Sequence, residues 1–341
     1  MIIVMKPGSQ DSDIHEITDI LESLGLGVHI SKGTERTIIG VIGDKRVLSD
    51  VPLELMPGVE KLVPIVEPYK LAGKTFKPEP SVIDVNGVKI GGKELVMMAG
   101  PCAIESRDQI MSAALAVKKS GAQFLRGGAF KPRTSPYAFQ GLEEEGLKLL
   151  KEAKEATGLQ IVSEVTSEKA VEIAINYVDM FQIGARNVQN FQLLREVGRS
   201  GKPVLFKRGP STTIEEWLNA AEYIMSEGNY NVVLCERGIR TFETATRNTL
   251  DISAVPVVKS TSHLPIIVDP SHAAGKAQYI HSLSKAAIAA GADGLIIEVH
   301  PNPRCALSDA AQQLTPGSFD ELCKDISRMA EILGREFKYG A

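Results

Sequence analysis

The part of the chain that begins near Ser81 alternates short apolar runs with stretches of helical periodicity, and this alternation limits the possible folds more than any other feature. Eight runs have the length and composition of buried strands: Leu95–Met98, Gln123–Leu125, Gln160–Val162, Met180–Ile183, Pro203–Phe206, Asn231–Leu234, Leu264–Val268 and Gly294–Ile297. Seven stretches have the apolar spacing of a helix: Gln109–Lys119, Gly141–Glu155, Glu168–Ile175, Phe191–Val197, Ile214–Met225, Ile280–Ala290 and Asp320–Gly334. Eight such units over about 250 residues predict a (β/α)8 TIM barrel.

A doubly wound parallel sheet is the alternative to the barrel, because it has the same alternation of strands and helices. No glycine-rich fingerprint opens the first turn after Leu95–Met98, and this favours the barrel. Before the first strand, Val82–Val85 and Val88–Ile90 flank the pair Asn86-Gly87, which predicts a tight hairpin. We expect the barrel to occupy residues 82–341.

Residues 1–66 have a different pattern and predict a separate small domain. Strands are expected at Met1–Met5, Val28–Ser31, Thr37–Ile42 and Val59–Val66, with a helix over Asp11–Leu24. With a short segment near residues 47–55, the order is βαββ(α)β, which is typical of a ferredoxin-like α+β module. Residues 67–81 contain three prolines and three lysines, and we expect a semi-rigid linker there.

Composition excludes several classes of protein. The 341 residues include 38 Lys and Arg and 42 Asp and Glu, a net charge of −4, so nucleic acid and anionic membranes are not expected partners. No apolar run reaches the length of about 18 residues that spans a bilayer, and the first residues lack a signal-peptide layout. The four cysteines are scattered, with no C-x-x-C pair. These features predict a cytoplasmic protein.

Cationic side chains follow several of the predicted strands, at the end of a barrel where active sites lie. Taken singly, each is most simply a solvated loop residue, but at one mouth of an acidic protein they would repel one another unless an anion neutralised them. The set therefore predicts a substrate with phosphate and carboxylate groups. It comprises Arg126, Lys131, Arg133, Arg186, Lys207 and Arg237. A Schiff-base aldolase with Lys131 or Lys207 as nucleophile is an alternative, but a charged lysine is the simpler role beside arginines.

Four further residues could share a metal ion. They are Cys102, His272, Glu298 and Asp309. Their spacing alone is not diagnostic, and a buried cysteine or a helix-capping histidine are the ordinary alternatives. In a barrel all four fall on one rim, which predicts a divalent metal whose identity is left open. His300 lies near this rim and could be a partner of a metal ligand, whereas Cys235, Cys305 and Cys323 are expected to be structural.

These motifs resemble those of 3-deoxy-D-arabino-heptulosonate 7-phosphate (DAHP) synthases, in particular the class I-beta type with an N-terminal ferredoxin-like regulatory domain. The resemblance rests on Ala99-Gly100-Pro101-Cys102 with Glu105-Ser106, Arg126 to Thr134, Gln182 to Asn187, Phe206 to Gly209, Glu236 to Gly238, Asp269 to His272, and Glu298. The related 3-deoxy-manno-octulosonate 8-phosphate (KDO8P) synthases usually have Ala-Asn-Arg-Ser after the lysine where this chain has Pro132-Arg133-Thr134. Cys102 stands where metal-independent octulosonate enzymes have Asn.

The resemblance implies a condensation of phosphoenolpyruvate (PEP) with erythrose 4-phosphate and water that releases phosphate, the entry step to the shikimate pathway and aromatic amino-acid biosynthesis. It implies catalytic roles for Lys131, Cys102 and His272, and a divalent Mn, Fe, Zn or similar ion on Cys102, His272, Glu298 and Asp309. Lys131 is a candidate proton donor, and the group that moves each proton is left open. The implied PEP ligands are Arg126 and Lys131 for the carboxylate and Arg186, Lys207 and Arg237 for the phosphate. Arg133 and Thr134 are the implied ligands of erythrose 4-phosphate.

The resemblance also implies regulation and assembly. An aromatic amino acid, tyrosine or phenylalanine, is the expected inhibitor, with His29 and Ser31 as candidate polar contacts, and a homotetramer is expected. Three alternatives remain open at this point. The enzyme could use arabinose 5-phosphate as a KDO8P synthase does, the N-terminal module could be a stabilising cap, or that module could be a small-molecule sensor on an inert barrel.

Overall fold

We describe the protein from a computed structural model. It describes residues 1–33, 36–43, 45–48, 51–63, 68–132 and 135–340. The chain divides into two compact units, Met1–Pro68 and Tyr69–Ala341. Within the described ranges, none of the helices combines the length and the apolar character needed to cross a membrane.

The N-terminal unit is a four-stranded antiparallel sheet with a helix packed on one face. Its strands are β1 (Ile2–Met5), β2 (Gly27–Lys32), β3 (Thr37–Ile42) and β4 (Val59–Val63), in the order β2-β3-β1-β4. Helix α1 (Asp11–Ser23) buries Ile14, Ile17 and Leu21, which recur at helical spacing. Short 3-10 turns at Lys45–Leu48 and Leu53–Leu55 stand where a second helix was expected. The predicted small ferredoxin-like domain is confirmed.

The second unit is a closed barrel of parallel strands with helices between them, as predicted. After the hairpin β5 (Ile83–Val85) and β6 (Val88–Ile90), the barrel strands are β7 (Val96–Gly100), β8 (Phe124–Arg126), β9 (Gln160–Glu164), β10 (Met180–Ile183), β11 (Val204–Lys207), β12 (Val232–Glu236), β13 (Ile266–Val268) and β14 (Gly294–Glu298). The helices are α2 (Arg107–Lys119), α3 (Glu143–Thr157), α4 (Glu168–Ala174), α5 (Phe191–Arg199), α6 (Ile214–Met225), α7 (Ala254–Thr261), α8 (Pro270–Ala274), α9 (Ile280–Ala289) and α10 (Pro316–Ile332). Strand β14 pairs with β7 and closes the ring.

Helices α7 and α8 were not predicted. The α7 segment contains Pro256 and three valines, a composition that is unfavourable for a helix interior. Pro256 is the third helical residue, and in the first turn a proline removes no intrahelical hydrogen bond. Burial of Ala254, Val255 and Val258 against the barrel then stabilises a helix that local propensity does not favour.

The hairpin β5–β6 closes the amino-terminal end of the barrel. Asn86 and Gly87 both have positive φ, 50° and 93°, as a two-residue hairpin turn of this kind requires. Ile83, Val85 and Ile90 pack with side chains that point into the barrel, namely Val96, Met98, Phe124, Val162, Met180, Leu205, Val233, Cys235, Ile267 and Ile296. This apolar plug leaves the carboxyl ends of the strands as the end where a polar site can form.

Residues 69–81, expected to be part of a linker, pack against the barrel. Tyr69 and Ala72 are buried, and the Ala72 amide donates to Glu222 at 2.7 Å. Farther along, the Ser81 hydroxyl lies 2.8 Å from Nδ1 of His263. The proline and lysine content of this segment predicts a linker. The few apolar and polar side chains that attach it to the barrel form no sequence pattern that would have predicted their contacts.

Candidate active site

A cavity of about 630 Å³ opens at the carboxyl ends of the barrel strands. Its walls come from the ends of seven strands and the loops that follow them, which is where a barrel of this type places chemistry. Six of the lining side chains are cationic: Lys131, Arg186, Lys207, Arg237, Arg240 and Arg247. Among the residues that the structure describes, Glu164, His272 and Asp309 are the other ionisable members of the lining. A cavity with this excess of positive charge is suited to a substrate with several negative charges.

Strand alternation explains why two of these cations face the cavity. Side chains two residues apart point to the same side of a strand. Leu205 and Cys235 point into the barrel, so Lys207 on β11 and Arg237 after β12 stand above them on the inner side. Both are buried, and Lys207 donates to Oδ2 of Asp269.

Arg126, the last residue of β8, is a buried cation with one unsatisfied donor. Its Nη1 donates to the Pro101 carbonyl at 2.7 Å and to Oε1 of Glu298 at 3.0 Å. Its buried Nε has no hydrogen-bond partner among the residues that the structure describes. A buried unpaired donor is costly, so this atom marks a position where an anionic ligand would be stabilised.

Cys102, Glu298 and Asp309 form a cluster that could hold a metal ion. One ligand atom from each lies within 4.8 Å of the others. His272 adjoins them, with its Nε2 3.5 Å from Oε1 of Glu298. Sulfur, imidazole nitrogen and carboxylate oxygens are the donor set of many divalent sites. Burial raises the pKa of the Cys102 thiol to about 12, and Glu298 adds to this rise, so a bound cation would have to displace the thiol proton.

Asp269 fixes the orientation of His272. Its Oδ2 lies 2.6 Å from Nδ1 of the imidazole. Burial opposes ionisation of Asp269, but His272 and Lys207 beside it hold the pKa of this carboxyl well below its usual value. Burial lowers the pKa of His272, which favours the neutral ring. With Nδ1–H donated to Asp269, the Nε2 lone pair points towards Glu298 and is available as a ligand.

Two side chains that the sequence did not indicate support the carboxylates of this cluster. Gln312 donates from Nε2 to Oε2 of Glu298 at 2.7 Å, and its Oε1 accepts from Arg247 at 3.1 Å. The same arginine lies 3.5 Å from Oδ1 of Asp309. Asp309 itself has φ 48°, a left-handed conformation that is strained in a non-glycine residue. Arg247 and Gln312 therefore tie Glu298 and Asp309 into one arrangement.

Two family models cover nearly the whole chain. Residues 75–334 match the DAHP synthetase I family, and residues 1–67 match the DAHP synthase ferredoxin-like domain. The chain belongs to the DAHP synthetase I family. The predictions of a DAHP synthase-type barrel behind a ferredoxin-like domain, and of an aldol-type 3-deoxy-7-phosphoheptulonate synthase, are confirmed.

Individual relatives agree with this membership. Phospho-2-dehydro-3-deoxyheptonate aldolase of Thermotoga maritima is 51% identical over 98% of this chain and 99% of its own length. A crystal structure of that DAHP synthase superposes with a TM-score of 0.92 at 50% identity, covering 99% of this chain and 98% of the other. A truncated form from the same organism has a TM-score of 0.74 at 47% identity and covers 79% of this chain and 99% of its own. A 2-dehydro-3-deoxyphosphooctonate aldolase of Geobacter sp. (strain M21) is 32% identical over 74% of this chain and 98% of its own length.

In this DAHP synthase the structure brings most of the predicted site residues together. Lys131, Arg186, Lys207 and Arg237 line one cavity with His272 and Asp309, and Arg126 contacts Glu298. Arg133 and Thr134 lie outside the described residues.

The other residues that the sequence singled out are not members of the metal-candidate cluster. His300 pairs with Glu105, with 3.3 Å between Nε2 and Oε2, and accepts from the Asn302 amide at Nδ1. Cys235 and Cys323 are buried, and Cys305 is exposed. His29 and Ser31 are exposed on β2, at the edge of the N-terminal sheet.

The residues that sequence reasoning missed are Arg240, Arg247, Asp269 and Gln312. Asp269 had one usable signal, since it stands directly before Pro270 at the start of α8 and three residues before His272. The other three lie in the long connections after β12 and β14, Gln312 at the end of a 3-10 turn, and no local pattern predicts their contacts.

Proposed function

We propose that this DAHP synthase condenses PEP with D-erythrose 4-phosphate and water to give DAHP and phosphate, and so supplies aromatic amino-acid biosynthesis. The observation that carries the proposal is a single cavity in which six cations adjoin the cluster of Cys102, His272, Glu298 and Asp309. Two phosphates and a carboxylate need about this many charge-assisted donors. Arabinose 5-phosphate, the sugar of the octulosonate enzymes, is the alternative second substrate.

PEP binds in this proposal with its carboxylate on Arg126 and Lys131. Support comes from the buried Nε of Arg126, which a carboxylate oxygen would satisfy. The phosphate of PEP is bound by Arg186, Lys207 and Arg237, which line the same cavity. Lys207 and Arg237 are held on the inner side of adjacent strands, so both positive charges are already in position before PEP binds.

The sugar phosphate is assigned to Arg133 and Thr134. Their neighbours in sequence, Pro132 and Ser135, line the cavity. Arginine has the fork of donors that suits a phosphate, and a threonine hydroxyl adds one further donor.

The residues present fit a divalent metal ion such as Mn²⁺, Fe²⁺ or Zn²⁺, held by Cys102, His272, Glu298 and Asp309. One soft ligand, one borderline ligand and two hard ligands suit several of these ions. When bound there, such an ion supplies Lewis acidity for the aldehyde carbonyl of the sugar.

The chain's own residues then carry the reaction as follows. C3 of PEP attacks the aldehyde carbon, the new C–C bond forms, and Nζ of Lys131 gives a proton to the former carbonyl oxygen. Water adds at C2 of the PEP unit, and the proton it loses restores Lys131. Collapse of the resulting tetrahedral intermediate forms the C2 carbonyl, breaks the bond between C2 and the phosphate oxygen, and passes the C2 hydroxyl proton to the departing phosphate. The released phosphate is stabilised by Arg186, Lys207 and Arg237.

The N-terminal unit is proposed to carry feedback regulation. Tyrosine or phenylalanine binds with polar contacts from His29 and Ser31, which are exposed on the edge strand β2. The active protein is proposed to be a homotetramer in the cytoplasm.

The test of the proposed function is product analysis. The protein is incubated with PEP and either erythrose 4-phosphate or arabinose 5-phosphate, and the products are identified by mass spectrometry. We expect a seven-carbon product from erythrose 4-phosphate and no eight-carbon product from arabinose 5-phosphate. An eight-carbon product from arabinose 5-phosphate, with no product from erythrose 4-phosphate, would assign the barrel to the octulosonate reaction.

A further inference from the structure

Two residues of the strand-end motifs have no role in the reaction above. Arg208 follows Lys207 in the motif Phe206 to Gly209, and Glu236 precedes Arg237 in the motif Glu236 to Gly238. Both are buried, and Nη1 of Arg208 donates to Oε2 of Glu236 at 3.0 Å. A buried ion pair is not by itself a source of stability, so its presence beside the cavity calls for a reason.

Strand alternation places this ion pair directly behind the cations of the phosphate site. Lys207 and Arg237 point into the barrel, so their neighbours in sequence point outwards, towards the layer between barrel and helices. Lys207 is paired in register with Cys235, and the Arg208 amide donates to the Cys235 carbonyl at 3.0 Å. The ends of β11 and β12 are therefore joined by a backbone hydrogen bond and by the pair of Arg208 and Glu236. A shift between these ends would change the position of Lys207 relative to Arg237.

Arg208 also binds the far end of the loop that follows β12. Nη1 of Arg208 donates to Oδ2 of Asp251 at 2.7 Å, and its Nε donates to the Thr212 carbonyl at 2.8 Å. Asp251 in turn accepts from the Ala254 amide at the start of α7. At the near end of the loop, Oε1 of Glu236 accepts from the Gly238 amide at 2.6 Å.

One buried cation thus binds the carboxylates at both ends of the loop of residues 237–251. That loop supplies four side chains to the cavity: Arg237, Arg240, Arg247 and Asn248. Since the loop is long and three of these side chains are cations that repel one another, its ends need a fixed anchor to hold them around an anion.

We propose that Arg208, Glu236 and Asp251 are positioning residues for the phosphate of PEP. They act by holding Lys207, Arg237 and the 237–251 loop in the arrangement that binds it. The inference rests on the proposed function, in which Lys207 and Arg237 bind that phosphate. None of the three is a catalytic residue, because each acts through other side chains.

The test compares Glu236→Gln with wild type in the full chain. Glutamine keeps the size of the side chain but removes its charge and one of its two acceptor oxygens. PEP affinity is measured by calorimetry, and inorganic phosphate is used as a competitor of PEP. We expect both affinities to fall about ten- to a hundredfold, with the KM for erythrose 4-phosphate little changed. Amide hydrogen exchange of residues 237–251 is expected to become faster.

Asp293→Asn is the matched control. Asp293 is an equally buried carboxylate that pairs with Lys259 at 2.8 Å and with Arg335 at 3.3 Å. It precedes β14 and so lies at the opposite end of the barrel from the cavity. We expect this variant to lower the melting temperature and to leave phosphate affinity and exchange of the loop unchanged. Asp251→Asn, at a less buried position, replaces Glu236→Gln if that variant does not fold.

Arg237→Ala separates failure of this inference from failure of the proposed function. If Arg237→Ala weakens PEP and phosphate binding while Glu236→Gln and Asp251→Asn leave both affinities at the wild-type level, the positioning role is wrong and the phosphate site stands. If Arg237→Ala itself leaves PEP affinity unchanged, the phosphate site is wrong and the positioning role falls with it.

Discussion

Nζ of Lys131 lies 3.1 Å from Sγ of Cys102 and 3.0 Å from the carbonyl oxygen of the same residue. This contact links the PEP site to the metal-candidate cluster, because Lys131 belongs to the cationic set and Cys102 belongs to the cluster. An ammonium group at this distance stabilises the thiolate that a metal ligand must become. It also places the proposed proton donor beside the site where the aldehyde would be polarised.

We predict that activity depends on a divalent metal ion. Treatment with a chelator should abolish turnover, and addition of Mn²⁺ or Zn²⁺ should restore it. Cys102→Ser should weaken metal binding, since a hydroxyl ionises far less readily than a thiol. The measurement is metal affinity by competition with a chromogenic chelator, and full activity of the metal-free enzyme would remove the metal site.

Metal affinity should rise with pH. The pKa of the Cys102 thiol is raised to about 12, so the thiol is protonated throughout the neutral range and loses its proton on binding. Release of one proton makes binding about tenfold tighter for each unit of pH increase. The pKa of His272 is lowered, so the imidazole releases no proton above neutrality. Calorimetry in buffers of different ionisation enthalpy counts the protons, and the Cys102→Ser variant should lose most of this dependence.

Removal of the Gln312 amide should weaken metal binding without unfolding the protein. Gln312→Leu leaves Oε2 of Glu298 without its 2.7 Å donor, and losses of this kind cost about 10- to 100-fold in metal affinity. Gln123→Leu is a control, because Oε1 of Gln123 accepts a hydrogen bond from the Met97 backbone amide near the amino-terminal end of the barrel. Equal metal affinities for the two variants would contradict a positioning role for Gln312.

Arg133→Ala should raise the KM for erythrose 4-phosphate far more than the KM for PEP. Loss of one charge-assisted phosphate contact costs roughly 1.5–3 kcal/mol, a ten- to hundredfold change. Arg186→Ala is the counterpart and should act mainly on PEP. Steady-state kinetics with each substrate varied in turn measures both, and equal effects of Arg133→Ala on the two substrates would show that the division of the site is wrong.

Deletion of residues 1–65 should leave an active barrel that no longer responds to tyrosine or phenylalanine, because a tethered regulatory unit acts only while it is attached. In the full chain, His29→Ala should weaken inhibition, whereas His15→Ala, at an exposed position on α1, should not. Inhibition curves for both amino acids measure this. A full-length enzyme that ignores every aromatic end product would make the N-terminal unit a stabilising element.

The sequence predicted those features that depend on local periodicity. Lys207 and Arg237 could be assigned to the cavity because each directly follows an apolar strand, and strands of a barrel end on one rim. Arg247 and Gln312 could not, since they lie in loops whose paths are set by contacts between distant segments. Helix α7 was missed because burial outweighs the low helix propensity of its valines and Pro256.

The most direct test of the account is a crystal structure of the protein with PEP bound. We predict that the phosphate lies within hydrogen-bond distance of Lys207 and Arg237 and the carboxylate on Arg126 and Lys131. PEP bound in the reverse orientation, or outside this cavity, would contradict the proposed function of the site.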